Sequence, residues 1–407
     1  MSNRKIYAAA RIVTCDAKRA TGENPLGVVE NAAVVVENGV VTDIVPRTPA
    51  AGDAVDFGAR TITPGLVDAH THAAWSGSRH DEYAMKMAGA DYRDIAKAGG
   101  GIAASQRAVV SVDEADLANE IAARLKRMAS LGVTSCEVKS GYGLEREHEL
   151  KQLCALTHLM DRHDLPRIVP TFLALHALPV SAPNRNAYVA SAADLVDHVA
   201  RENLARFVDA YVDANAFSAG EARVIGERAK KARLGVRLHV GQFADVGGAE
   251  LAAELGAKSA DHLENVSDAA LAKMAEAGVA GGLLPIACLT LNQTKPRVEA
   301  MRKAGISLVV ASDANPGTAP SESLPLAMAL AVRLYGLTPE EAILGATTNA
   351  ARSLDLDAGV LRVGARADLV VWDLPHERAI VQPWGVSKTA LVVRDGSPIF
   401  SADSTTF

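Results

Sequence analysis

The chain has 407 residues, of which 49% are apolar, 22% charged and only 4% aromatic. This composition is close to that of globular proteins and excludes a disordered, collagen-like or disulfide-scaffolded chain. The 42 basic and 48 acidic residues give a formal net charge of −6, which argues against a nucleic acid or an anionic membrane surface as partner.

Both ends of the chain carry the pattern of short β-strands. Runs rich in valine and isoleucine lie at residues 11–14, 33–37, 40–45, 368–372 and 388–393. Asn38-Gly39 separates two of these runs, which is typical of a type I′ hairpin turn, and Asp395-Gly396 follows the last one. Neither end has enough strands for a sheet of its own, so we expect residues 1–60 and 358–407 to form one small β-sandwich domain.

Residues 61–357 have a different pattern, in which short apolar runs alternate with amphipathic helical segments. Eight units of this kind predict a parallel (β/α)8 barrel, a TIM barrel, whereas a doubly wound sheet would need a glycine-rich phosphate turn that is missing here. Amphipathic helices are predicted at residues 112–130, 147–162, 219–232, 268–276 and 338–354. The predicted barrel strands are residues 61–72, 133–140, 167–177, 206–213, 235–242, 259–263, 279–285 and 306–316.

Polar residues follow the predicted barrel strands at their carboxyl ends, where this fold places its active sites. His70 and His72 end the first strand and share one of its faces, because side chains two residues apart point the same way. His239 ends the fifth strand and Asp313 the eighth. Three imidazoles and one carboxylate suit a zinc, iron or manganese ion with a position left for water. The alternative is four unrelated polar residues.

Other parts of the sequence bear on location. The cysteines are far apart and form no Cys-x-x-Cys pair, as expected of reduced thiols in a cytosolic protein. Residues 1–14 lack a continuous apolar leader segment, and the longest uncharged stretch, residues 277–294, is interrupted by glycine and proline. We therefore expect a cytoplasmic protein without a membrane partner.

Segments at both ends of the predicted barrel carry a family resemblance. Residues 63–72, TPGLVDAHTH, are similar to the first-strand signature of the amidohydrolase superfamily. Residues 364–373, GARADLVVWD, resemble the return of the chain into the β-sandwich domain of that superfamily. The resemblance implies a mononuclear metal site, without a lysine ligand for a second metal.

Segments spread over nearly the whole chain carry a closer resemblance. They include GSR at 77–79, GGGI at 99–102, EVKSGYGL at 137–144, FLALHA at 172–177, GGAEL at 247–251, SADHL at 259–263 and DANPG at 313–317. These segments resemble the imidazolonepropionase family. The resemblance implies hydrolysis of the cyclic amide of 4-imidazolone-5-propanoate to N-formimino-L-glutamate in histidine degradation. It also implies a small anionic substrate, one zinc or iron ion per subunit in a divalent or trivalent state, and a homodimer.

The same resemblance assigns roles to single residues. Asp313 would both ligate the metal and accept a proton from the attacking water, and His262 would polarise the ring carbonyl and pass a proton to the leaving nitrogen. Arg79 would bind the substrate carboxylate, in preference to Lys139, which we expect to be held by Glu137 or Asp68. The other substrate-binding residues implied are Tyr92, Tyr142, His176, Gln242, Asn315 and Gly317.

The sequence departs from the family pattern at four places. Val240-Gly241-Gln242 follows His239 where an acidic residue is usual, and Ile286-Ala287-Cys288 replaces a glycine and an aromatic residue. Asp213 stands in place of glutamate, and Ser105 in place of threonine. None of these positions is a predicted metal ligand, so the departures bear on the exact substrate rather than on the chemistry.

Two other functions are open at this point. A related aminohydrolase that deaminates a purine-like or pyrimidine-like ring would share the metal and Asp313, but it would need a glutamate as proton shuttle near His239, which Gln242 cannot replace. A non-catalytic barrel would typically have lost metal ligands, and all four are present in this sequence.

Overall fold

The computed structural model describes residues 4–47, 54–90, 94–95 and 99–403. Its strands are β1 (Arg4–Ile12), β2 (Val29–Glu37), β3 (Val40–Pro46), β4 (Ala54–Asp56), β5 (Thr61–Pro64), β6 (Leu66–Asp68), β7 (Val133–Lys139), β8 (Arg167–Leu175), β9 (Phe207–Val212), β10 (Gly235–Val240), β11 (Ser259–His262), β12 (Ala280–Leu283), β13 (Leu308–Val310), β14 (Leu369–Trp372), β15 (Thr389–Arg394) and β16 (Ser397–Ser401).

Most of the helices lie between the barrel strands. The α-helices within the described ranges are His80–Met87, Ile102–Ser111, Glu114–Ala129, Arg146–Met160, Arg185–Arg201, Ala219–Lys231, Gly248–Leu255, Asp268–Glu276, Pro285–Thr290, Val298–Ala304, Leu324–Leu330, Pro339–Gly345 and Thr348–Ser353. A π-helical turn, Ala331–Tyr335, and a 3-10 helix, Glu377–Val381, complete the set. The single helix predicted over residues 338–354 is therefore wrong, because the backbone leaves the helical region at Thr347, with φ −133° and ψ −101°.

The two chain ends pair in one sheet, as the sequence predicts. Its order is β16-β15-β14-β5-β1-β2-β3, with β4 beside β1. Asn38 and Gly39 have φ of 51° and 80°, and Asp395 and Gly396 have φ of 48° and 74°, which are left-handed values suited to tight hairpin turns. The two turns touch, since a Cβ on Gly39 would lie 2.8 Å from the carbonyl oxygen of Asp395. That this sheet and the barrel are separate domains stays a prediction.

Strands β6 to β13 form the predicted barrel sheet of eight parallel strands in chain order. The predicted first strand, residues 61–72, is wrong as one unit, because Thr61–Pro64 pairs with β1 and β14 while Leu66–Asp68 pairs with β7. The chain passes between the two sheets at Gly65, where a Cβ would lie 2.0 Å from Thr134 Oγ1. Only a residue without a side chain fits this crossing.

The barrel closes between its first and last strands just beyond β6 and β13. The Asp313 amide donates to the His70 carbonyl at 3.0 Å, and the His72 amide donates to the Ala314 carbonyl, also at 3.0 Å. Thr71 and Ala314 form a parallel bridge between these two bonds. Three of the predicted metal ligands, His70, His72 and Asp313, are therefore held on the backbone that closes the barrel.

None of the helices in the described ranges is both long enough and apolar enough to cross a membrane.

Candidate metal centre and active site

The four predicted metal ligands converge at the carboxyl ends of the barrel strands, and all four are buried. His72 Nε2 lies 3.1 Å from His239 Nε2 and 3.4 Å from Asp313 Oδ1. His70 Nε2 lies 3.5 Å from Asp313 Oδ1, and its ring centroid is 4.5 Å from that of His239. These atoms surround a single point at the centre of the barrel mouth.

The atoms that face this point fit a metal ion. His70 Nε2 and Asp313 Oδ1 are buried without a hydrogen-bond partner among the described residues, a costly state for polar atoms unless a cation binds them. Burial lowers the pKa of His70 and of His72 well below the usual value, which keeps both imidazoles neutral as ligands must be. Burial raises the pKa of Asp313, as expected of a carboxylate placed to meet a cation that protein groups do not supply.

Buried carboxylates orient two of the imidazoles. Asp261 Oδ2 lies 2.7 Å from His70 Nδ1, and Asp209 lies 3.1 Å from His239 Nδ1. When Nδ1 of each ring donates to its carboxylate, Nε2 is left as the lone-pair nitrogen that faces the centre. Neither aspartate was predicted from the sequence to be a site residue. For Asp209 the signal available was an acidic residue inside the otherwise apolar strand Phe207–Val212, whereas Asp261 lies in a strand that is itself polar, directly before His262.

Lys139 extends this network beneath the metal ligands. Its ammonium is fully buried and donates to Glu137 at 2.7 Å and to Asp209 at 2.8 Å. The predicted pairing with Glu137 is confirmed. The alternative with Asp68 is wrong, because Asp68 instead accepts from the Ser312 hydroxyl at 2.6 Å and the Ser312 amide at 3.1 Å across the barrel closure.

Glu137 links the network back to the first strand. Its carboxylate accepts from the Thr71 amide at 3.1 Å, between His70 and His72. Lys139 therefore connects the carboxylate that orients His239 with the carboxylate that fixes the backbone of the other two histidines.

His262 lies beside the predicted ligands, with its ring centroid 5.5 Å from that of His239 and 5.9 Å from that of His70. His70, His239 and His262 also form a group whose nitrogens could share an ion, so His262 could act as a ligand as well as a catalytic group.

The backbone is strained at two of these residues. His262 has a φ of 83° and Asp313 a φ of 54°, which are left-handed values for residues with side chains, and such strain concentrates at functional sites.

Glu264 lies near His262 and was not singled out by the sequence. Its Oε2 is 3.9 Å from His262 Nδ1, and both its oxygens are buried without a hydrogen-bond partner in the described ranges. Burial raises the pKa of Glu264 to about 8.

A cavity of about 720 Å³ opens above the ligands. The predicted substrate-binding residues that line it are Arg79, Tyr142, His176, Gln242 and Asn315, together with the chemical residues His262 and Asp313. Gly317 abuts it through Arg79. Tyr92 lies outside the described residues. Glu82, Lys86 and Tyr211 also line the cavity and were not predicted.

Arg79 is paired inside this cavity. Its Nε donates to Glu82 Oε2 at 2.8 Å, and Nη2 makes a second short bond to Glu82 Oε1. The same carboxylate accepts from the Gly101 amide at 2.7 Å. Gly317 packs against the guanidinium so closely that a Cβ would lie 2.2 Å from Nη1. Arg79 is thus fixed in place by Glu82 on one side and Gly317 on the other.

Three of the other predicted substrate-binding side chains already make hydrogen bonds within the protein. His176 stacks on His72 at 5.2 Å between ring centroids, and its Nδ1 lies 2.7 Å from the Gly141 carbonyl oxygen. Tyr211 donates to Gln242 Oε1 at 2.6 Å. Asn315 is engaged in its own loop, where Oδ1 accepts from the Gly317 and Thr318 amides at 2.9 and 2.7 Å. The Asn315 side chain therefore stabilises the conformation of the loop that follows Asp313.

Sequence comparisons place this chain in a known family. A family model described as the amidohydrolase family matches residues 174–399, more than half of the chain. The imidazolonepropionase of Maricaulis maris (strain MCS10) is 42% identical over 386 residues, covering 93% of this chain and 95% of that protein. The imidazolonepropionase of Geobacillus kaustophilus (strain HTA426) is 38% identical over 387 residues, covering 92% of this chain and 91% of that protein.

Solved structures agree on the fold. An adenosine deaminase from Xanthomonas campestris with bound zinc superposes with a TM-score of 0.71 at 19% identity, covering 97% of this chain and 92% of that one. A triazine hydrolase variant superposes with a TM-score of 0.75 at 14% identity, covering 98% and 95%. At such identities the likeness concerns the architecture alone.

Proposed function

The chain belongs to the imidazolonepropionases of the amidohydrolase family, and we propose that its cavity hydrolyses 4-imidazolone-5-propanoate to N-formimino-L-glutamate in histidine degradation. The observation that supports this best is that His72, His239 and Asp313 line the same cavity as Arg79, with His70 grouped beside His72 and Asp313. One group of side chains suits metal-assisted hydrolysis, and the other suits an anionic substrate.

The proposed ligands of one metal ion, zinc or iron, are His70, His72, His239 and Asp313. When bound, such an ion lowers the pKa of water to about 7 and polarises a carbonyl oxygen. The residues fit it because His70 Nε2 and Asp313 Oδ1 are buried without a hydrogen-bond partner among the described residues. Asp261 and Asp209 also lie within hydrogen-bond distance of Nδ1 of His70 and His239, which favours Nε2 as the ligating nitrogen of both rings.

Asp313 is the proposed general base. A carboxylate has two oxygens, so one can ligate while the other accepts the proton of the attacking water. Water adds to the ring carbonyl carbon, the bond from that carbon to the ring nitrogen breaks, and the proton taken from water is delivered to the leaving nitrogen. The products are a carboxylate and the open formimino group.

His262 is the proposed donor to the carbonyl oxygen and the residue that passes the proton to the nitrogen. Negative charge grows on this oxygen as water adds, so a donor there is worth most in the transition state. Tyr142 and His176 are proposed to contact the ring, and Gln242 its heteroatoms. Arg79 is proposed to bind the propionate carboxylate, with Tyr92, Asn315 and Gly317 completing the substrate contacts.

A deaminase of purine-like rings is the second candidate, and it is weaker at Gln242. This side chain lines the cavity near His239 and accepts a hydrogen bond from Tyr211, but it carries no titratable proton.

We also propose that the protein is cytoplasmic and forms a homodimer. We propose that its chain has two domains, one formed by residues 61–357 and the other by residues 1–60 together with 358–407.

The test compares 4-imidazolone-5-propanoate with a panel of amino-substituted purines and pyrimidines. We expect turnover of the imidazolone alone. His262→Ala should lower kcat by about 10²–10³-fold with little change in KM, the usual loss of one donor to a developing oxyanion. His198→Ala, on the outer helix Arg185–Arg201, is the control and should leave both constants unchanged. Deamination of a purine without hydrolysis of the imidazolone would reject the proposal.

A further inference from the structure

We propose that Lys86 is a second binding group for the substrate carboxylate and supplies the net positive charge at that end of the cavity. This inference rests on the proposed function, because it concerns the anionic end of that substrate. The observation behind it is the charge balance of the side chains that line the cavity.

Three cationic side chains line the cavity, namely Arg79, Lys86 and Arg185. Arg79 is paired with Glu82, and Arg185 is paired with Glu221. Neither pair carries net charge. Among the described residues, Lys86 has no carboxylate within ion-pair distance, and its ammonium makes one long contact, 3.4 Å to the Gly317 carbonyl oxygen.

Helix His80–Met87 places Arg79, Glu82 and Lys86 on the same side of the cavity. Arg79 precedes helix His80–Met87 directly, and Glu82 and Lys86 follow it by three and seven residues, so the three side chains share one face of the helix. Arg79 and Lys86 then meet at Gly317, which packs against the guanidinium and accepts the long contact from the ammonium. We name the set Arg79, Glu82, Lys86 and Gly317 the anion subsite.

Arg79 alone is a poor receptor for an anion in this arrangement. Its Nε and Nη2 are used by Glu82, and within the described ranges only Nη1 is left without a partner. A carboxylate that enters a partly buried site next to Glu82 also meets a like charge, which is unfavourable without an extra cation. Lys86 is half-buried, its ammonium is positively charged, and its only hydrogen bond among the described residues is the long one to Gly317, so it has N–H donors available for a carboxylate.

The experiment measures kcat and KM for Lys86→Met, Lys86→Arg and wild type. Each is assayed with 4-imidazolone-5-propanoate and with its neutral carboxamide analogue. Lys86→Met should raise KM for the anion by about tenfold with little change in kcat, the size expected for one hydrogen bond to a charged group. KM for the carboxamide should not change, and Lys86→Arg should restore most of the loss.

The matched control is Lys273→Met, which removes the same charge from an exposed position on the outer helix Asp268–Glu276. It should leave both substrates unaffected. An unchanged KM for the anion in Lys86→Met, or equal losses for the anion and the carboxamide, would overturn the proposal. Wild-type turnover of the imidazolone is measured in the same series, so failure of the proposed function itself would be seen separately, as absence of that turnover.

Discussion

The metal centre and the anion subsite face the same cavity, but they are supported in different ways. The metal ligands end barrel strands, are buried, and are held by further buried groups, as His239 is by Asp209 and Lys139. The anion subsite stands on helix His80–Met87 and the loop that contains Gly317, and its pair Arg79 and Glu82 is more accessible than the ligands.

This difference shows that metal ligation requires a more rigid support than binding of the substrate carboxylate does. Ligand atoms must be placed to within fractions of an ångström, and packed strands with satisfied supporting bonds provide such precision. A carboxylate several bonds from the reacting carbonyl tolerates a looser receptor, and a helix beside a loop is sufficient. Substitutions at the metal centre should therefore affect catalysis and stability, whereas substitutions at the anion subsite should affect substrate affinity.

The largest effect is expected for His70→Ala. Loss of one ligand should abolish turnover and reduce the metal content, while the barrel stays folded because the chain has a large apolar core apart from the site. Activity, metal analysis and circular dichroism on the same preparation check this. A folded variant with full metal content and near wild-type activity would remove His70 from the metal centre.

Lys139→Met should be the most destabilising change in the supporting network. It leaves Glu137 and Asp209 buried without their cation, which should cost about 3–5 kcal/mol of unfolding free energy. Metal affinity should fall by roughly 10–100-fold through His239. Denaturant unfolding and competition with a chelator measure the two effects.

Lys258→Met is the control for that change, because it breaks an exposed ion pair with Asp355 and should cost about 0–1 kcal/mol. Equal losses in the two variants would mean that the buried network contributes no more than a surface pair.

Arg79→Ala should act on the other region. If Arg79 holds the carboxylate equally in the ground and transition states, KM should rise while kcat changes little. The loss in kcat/KM should be roughly 2–5 kcal/mol, and Arg79→Lys should recover part of it, since a point charge replaces a planar fork. A wild-type KM in Arg79→Ala would show that the carboxylate is bound elsewhere.

Gly317→Ala should give the smallest effect. The added Cβ would lie 2.2 Å from Arg79 Nη1 and push the guanidinium aside, at about 1–3 kcal/mol if the loop cannot adjust. KM should rise less than in Arg79→Ala. Gly22→Ala, where no atom lies within 4 Å of the added Cβ, is the control. The same change in KM for both variants would argue against a specific contact with Arg79.

The sequence could predict the parts of the molecule that follow simple periodicity. Strand and helix alternation predicted the barrel, which is confirmed, and the position of His70, His72, His239 and Asp313 at strand ends predicted that they meet, because parallel strands all end at one mouth. The division of residues 61–72 between two sheets was missed, since one continuous apolar run is compatible with either sheet.

The anion subsite was harder to predict for a physical reason. Arg79 was identified through the family resemblance, but its pairing with Glu82 and the orientation of Lys86 depend on where helix His80–Met87 begins and how it is rotated. Sequence patterns locate helix ends poorly, and a shift of one residue turns a side chain by about 100° around the helix axis.

The central claim is that one metal ion is held at the strand ends by three histidines and an aspartate. Anomalous X-ray diffraction from crystals of the purified protein, recorded on both sides of the zinc and iron absorption edges, tests it directly. We expect one anomalous peak per chain within bonding distance of His70, His72, His239 and Asp313. Two peaks bridged by shared ligands, or one peak that Asp313 does not reach, would contradict the claim.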